Sequence, residues 1–128
     1  MSGTNWTIGI DFGTSNTAAA HTNPVKGTVE AVNLSHNRTT MSSSVYVESP
    51  EQIDVGDVAM DKAESNPAGF IPAPKRVIPQ QMFQVNGYDL SASMPVAAVL
   101  SSVVQRVSRE HGNVQPSELV LTLSLIHI

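Results

Sequence analysis

The feature that most constrains the fold is an apolar stripe near the C-terminal end, Val96, Val99, Leu100, Val103, Val104 and Val107, at steps of three and four residues. A helix with one continuous apolar face must bury that face, and a sheet is the surface that accepts it. The spacing predicts a helix near residues 94–111, with Ser93 as N-cap, Arg109 and His111 at its negative end and Gly112 in the left-handed cap position. The stripe reads as core and not as a cofactor pocket. Pro116 and Ser117 then turn the chain into Leu119-Val120-Leu121-Thr122, a near-continuous apolar run of the kind found in strands covered on both faces. A helix that leads into a buried strand implies an α/β layer.

The sheet's other strands begin at the opposite end of the chain. Residues 8–17, IGIDFGTSNT, read as strand, tight turn, strand: Ile8 and Ile10 alternate with Gly9, Gly13 sits at the reversal, and Thr17 to Ala20 resumes a compact segment. Glycine lets backbone approach a ligand, and consecutive amides at a tight turn form a concave set of N–H donors that suits an anion. Thr14 and Ser15 add hydroxyls to the rim, and Asn16 closes it. An ionised Asp11 only accepts hydrogen bonds and repels bare phosphate, so its place at the strand end makes chemical sense as the partner of a hydrated metal ion. Together these residues point to a magnesium-bound nucleotide. The same residue types also serve plain turn geometry. The stretch is neither GxGxxG nor GxxxxGKS, whose glycines open a helix, which argues against a dinucleotide fold and against a P-loop NTPase.

Between these ends the elements are short. Thr28 to Leu34 is a third strand, antiparallel to the second, and Ser35 to Ser44 is a polar, ordered loop. Val45 to Val47 and Ile53 to Val55 are strands, and Asp57 caps a helix of about two turns that ends before Asn66-Pro67. Phe70 to Pro79 carries Lys75 and Arg76 on a proline-stiffened, non-repeating segment, where less entropy is lost in fixing a side chain. Asn86-Gly87 marks a hairpin within Met82 to Leu90. The expected arrangement is a mixed sheet from residues 7–34, joined by 119–122 and covered by the helix, with residues 45–90 in a smaller α+β lobe beside it.

Composition removes several classes. A net charge of −4 with no basic cluster beyond Lys75-Arg76 lacks the footprint of a nucleic-acid binder and disfavours anionic membranes. There are no cysteines, hence neither disulfides nor thiolate zinc, and His21, His36, His111 and His127 are spaced unlike metal motifs. They read as surface or half-buried side chains. The start of the chain lacks a signal-peptide pattern and no apolar run is long enough for a membrane span, so a cytoplasmic, soluble chain is expected. Charged residues make up only 14% of the sequence, low for an independent surface, which hints at missing partner surface.

IGIDFGTSNT resembles the first phosphate loop of the actin-like ATPase superfamily, with its ribonuclease H-like fold, shared by sugar kinases, actin-like filaments and DnaK-type seventy-kilodalton heat-shock chaperones. Asn37-Arg38-Thr39-Thr40, Ser42 to Val45, Val55-Gly56 before Ala59, Asn66-Pro67 and Lys75-Arg76 follow in an order similar to the first lobe of the chaperones. The resemblance covers residues 7–122. It implies that Asp11 holds magnesium through water, that Gly13, Thr14, Ser15 and Asn16 bind the phosphates of ATP or ADP, and that Lys75 is the catalytic lysine beside the γ-phosphate. It further implies a parent that hydrolyses ATP in protein folding and meets unfolded polypeptides, a J-domain co-chaperone and a nucleotide exchange factor. Phe12 stands where leucine is more usual, and the approach to Lys75 is richer in proline than the family pattern. Residues 123–128 depart from the family's valine-proline-alanine continuation and read as a foreign tail, leaving 1–122 as an incomplete nucleotide-binding domain, inactive alone. The competing readings are part of a carbohydrate kinase of the same superfamily and a self-sufficient, non-catalytic interaction module.

Overall fold

The computed structural model describes residues 5–35 and 38–123, and within them the chain is mixed α/β. β1 (Thr7–Phe12) and β2 (Asn16–Asn23) form the first hairpin, and β3 (Thr28–Ala31) extends it antiparallel to β2. The last strand, β10 (Glu118–Leu123), pairs parallel to β1, with Ile10 opposite Leu121, so the sheet is mixed. The return from the N-terminal hairpin to its far edge is made by α2 (Ser93–Ser108), the helix the apolar stripe predicts.

Ser35–Ser44 is not loop throughout. β4 (Thr40–Ser42) pairs with the start of β2, placing Met41 opposite Thr17. Met41 is the one apolar side chain in that polar run, and its burial pulls the segment onto the sheet. Asn37 of the family-like motif and the tail beyond Leu123 lie outside the described residues.

A second sheet follows, ordered β6-β5-β7, from β5 (Val45–Ser49), β6 (Gln52–Val55) and β7 (Phe70–Ile71). α1 (Gly56–Ser65) packs on it. Asp57 is not the cap of α1: Gly56, left-handed at φ 63°, brings the chain into the helix one residue earlier, and Asp57 occupies the first turn, where its charge still suits the positive helix end. Pro74–Gln80 forms a 3₁₀ run and not an irregular segment, since Pro74 at its first position supplies the required φ and loses no needed N–H. β8 (Met82–Val85) and β9 (Tyr88–Ser91) are the predicted hairpin, with φ positive at both Asn86 and Gly87 as a type I′ turn demands. The Asn86 side-chain amide donates to the Val47 carbonyl at 2.9 Å, fastening this hairpin to β5.

α2 covers both sheets. Val103 and Val107 bury against Trp6, Ile8, Ile10 and Ala19, while Val99 joins Phe12, Val45, Val47, Ile71 and Leu90. Its cap is not Ser93, which is the first helical residue; the Ser91 hydroxyl accepts from the Ser93 N–H at 3.4 Å instead. The helix ends through a 3₁₀ turn, Arg109–His111, at left-handed Gly112. The expectation that β10 is covered on both faces does not hold among the described residues: Leu119, Val120 and Leu121 are 43%, 54% and 40% exposed. The apolar stripe of α2 lies over β1 and β2, which leaves the edge strand outside its reach. No helix among the described residues is long and apolar enough to cross a membrane.

Candidate functional site

Residues 13–15 link β1 to β2, and the Gly13 N–H donates to the Asn16 carbonyl at 2.9 Å. A Cβ at Gly13 would stand 2.6 Å from that oxygen, so the reversal tolerates glycine alone. Gly13 thus serves the turn, with its own N–H committed inside the hairpin.

The turn is braced from behind by Ser43, which is fully buried. Its hydroxyl donates to the Gly13 carbonyl at 3.0 Å and lies 2.8 Å from the buried Thr17 hydroxyl, and its N–H donates to the Ser15 carbonyl at 2.9 Å. In a trans peptide the C=O and the following N–H point in opposite directions, and no peptide here is cis. With the carbonyls of Gly13 and Ser15 turned to Ser43, the Asn16 N–H is turned across the hairpin toward Gly13 and the Thr14 N–H is directed away from Ser43. Thr14 is half-buried there, while Asp11, Ser15 and Asn16 are exposed. One outward amide, two hydroxyls, the Asn16 side chain and a carboxylate around this turn can receive an anion and a hydrated cation together.

Lys75 belongs to the 3₁₀ run after β7, a separate element from the hairpin. Two contacts relate the elements. Ser43 touches the turn, and Val45, two residues on, pairs with Ile71, four residues before Lys75. Phe12, between Asp11 and Gly13, is fully buried in the cluster of Val45 and Ile71 against which Val77 also packs. One apolar cluster therefore anchors both the strand that ends in the turn and the run that carries Lys75. The ammonium of Lys75 is enclosed and has no hydrogen-bond partner among the described residues. Asp54 does not satisfy it, because Lys62 holds Asp54 at 2.6 Å and Glu48 at 3.0 Å. Those bonds, Asp54 first, raise the Lys62 ammonium above its ordinary value.

Sequence reasoning missed Ser43, Thr17 and Trp6 as working residues and treated the histidines as bystanders. The Ser42-Ser43-Ser44 run signalled side-chain-to-backbone bonding, but not which hydroxyl reaches the turn. No protein-family model matches the chain, and no curated protein matches its sequence.

Proposed function

We propose that this chain carries one wall of an ATP site of the actin-like kind, the first phosphate and magnesium loop together with the lysine of a DnaK-type chaperone ATPase. The single observation that carries the reading is the enclosed Lys75 ammonium, without a partner among the described residues, on a run whose Val77 packs in the same apolar cluster as Phe12 of the braced turn. An enclosed cation without an acceptor is costly, and an anion beside it removes that cost. Asp11 would hold a magnesium ion through water, and the ion would neutralise phosphate charge. The Thr14 N–H, the Thr14 and Ser15 hydroxyls and the Asn16 side chain would bind phosphate oxygens. Lys75 would orient the attacking water and offset charge developing on the γ-phosphate.

An actin-like site closes between two walls, and Asp11 to Asn16 with Lys75 make only one. Positioning by one wall leaves the nucleotide rotational freedom and open to water, so this chain alone binds Mg-ATP weakly and does not turn it over. The test is an amide-shift titration with Mg-ATP at millimolar concentration beside a phosphate-release assay. Saturable shifts at Thr14 to Asn16, lost in Lys75→Ala, with no phosphate release, agree with the reading. An unchanged turn at the highest nucleotide concentration refutes the site, and lysine-dependent turnover refutes the one-wall account.

A further inference from the structure

Away from the turn, three aromatic rings close the opposite end of the first sheet. His21 on β2 is buried, and its Nδ1 lies 2.8 Å from Nε2 of His111, on the 3₁₀ turn after α2. The His111 ring stacks on Trp6 with centroids 3.9 Å apart and planes within 3°, and His21 meets Trp6 edge-on at 6.4 Å. Trp6 in turn holds the path into β10: its indole N–H donates to the Val114 carbonyl at 2.9 Å, and its own carbonyl accepts from the Ser117 N–H at 2.8 Å and hydroxyl at 3.1 Å. The ring cluster thus ties β2, the end of α2 and the approach to β10 at one point.

A hydrogen bond between two imidazoles needs one N–H and one lone pair. Neutral rings satisfy this, and so does a pair sharing one extra proton, in which the bond becomes charge-assisted. With a proton on every ring nitrogen, two N–H groups and two positive charges would face each other at 2.8 Å. The bond is then lost. The surrounding charges do not supply a substitute. Glu30 opposes His21 on β3 and attracts positive charge there, but its hydrogen bonds go to Asn23 at 3.4 Å and Thr28 at 3.2 Å, with Lys26 at 3.9 Å. Glu110 favours a charged His111, and Arg106 and Arg109 line the adjoining cleft with Glu30 and Glu110.

We propose that Trp6, His21 and His111 form a pH-sensitive latch, closed with no proton or one proton on the pair and opened by the second, which releases the end of α2 and the approach to β10 from the sheet. Burial and the neighbouring His21 already hold the His111 ring below its ordinary value, in the direction a latch closed at neutral pH requires.

Trp6 is the only tryptophan in the chain and reports on the latch directly. Its emission is followed from pH ~7.5 to ~5, above the main range of carboxylate titration. The wild-type chain is expected to show a step to longer wavelength below pH ~6.5, as a ring now 1% exposed meets water, with amide shifts along β10 moving in parallel. His21→Gln keeps a hydrogen-bonding group but leaves a single titratable ring, so the doubly protonated pair cannot form and the step is expected to vanish. A wild-type profile that is flat, or a His21→Gln step of equal midpoint and size, overturns the latch. Should His21→Gln not fold, ring-nitrogen shifts of the wild-type histidines decide: two protonated rings with β10 amides unmoved overturn it, and amides that move with the second proton support it.

Discussion

Replacing Ser43 by alanine tests whether the brace, and not the glycine alone, sets the turn. The change removes the hydroxyl that donates to the Gly13 carbonyl and leaves the fully buried Thr17 hydroxyl without its 2.8 Å partner. A buried polar group that loses its partner costs about 1–3 kcal/mol, because the desolvation is kept and the bond is not. Gly13 is only half-buried, so water can replace Ser43 at its carbonyl and adds little. The expected loss is therefore about 2 kcal/mol, roughly 5–10 °C in Tm for a domain of this size. Thr17→Val keeps the β-branched shape and orphans Ser43 in turn, at a smaller cost because Ser43 still donates to Gly13. The double variant removes both hydroxyls, and its loss should fall below the sum of the singles by about 1–2 kcal/mol. Urea unfolding of the four proteins gives the cycle. Additive losses, or a Ser43→Ala cost under about 0.5 kcal/mol, would refute the brace.

Other substitutions probe neighbouring steps. Gly13→Ala should lower Tm and disturb the β1–β2 hairpin, since the new Cβ sits 2.6 Å from the Asn16 carbonyl; unchanged amide shifts at Asn16 would contradict this. Phe12→Ala should cost about 3–5 kcal/mol in urea unfolding and shift amides both at the turn and around Lys75, because Phe12 is fully buried between them. Lys62→Met should matter little to stability but should move the Asp54 and Glu48 side-chain resonances, and salt should reproduce part of that movement. The folded His111 takes up its proton at lower pH than the unfolded one, so stability is full above pH ~6.5 and falls as pH drops below it, until the folded ring also titrates. The Tm of His111→Gln should fall less over the same interval.

The long elements were legible because periodicity and turn chemistry agreed. The α2 stripe, the Asn86-Gly87 hairpin and the strand-turn-strand start each carry two independent signals, and the structure keeps all three. The misreadings share one cause, namely short-range preference overruled by a tertiary contact. Met41 draws a polar run into β4, Gly56 pre-empts Asp57 at the start of α1, and Ala92 stands at the cap of α2 while the Ser91 hydroxyl accepts from the Ser93 N–H. At the proposed site, Asp11, Gly13, Thr14, Ser15 and Asn16 were singled out because their residue types are chemically suggestive, and Lys75 by the family resemblance. Ser43 could not, for it acts through where its carbonyl partners point. His21 and His111 stand ninety positions apart and meet only because α2 returns the chain beside β2.

That return also bears on how the two halves of the proposed site stay in register. Phe12 is the last residue of β1, and from it two routes lead to Lys75. One runs through Ser43 and the β5–β7 pairing, the other through the side-chain cluster that includes Val99 of α2. The same helix, one turn further on, packs Val103 and Val107 on the first sheet. A displacement of the Lys75 run relative to the turn would have to break strand pairing, or shear a helix whose apolar face is shared between both sheets. Close-packed interiors resist that shear because every methylene is already in contact. Small core changes at Val99 should therefore reach both Asp11 and Lys75, although Val99 itself belongs to the apolar cluster. Val99→Ala supplies the check: the site is held by α2 if amide shifts appear at Gly13 and at Lys75 together, and is held by the strands alone if neither moves.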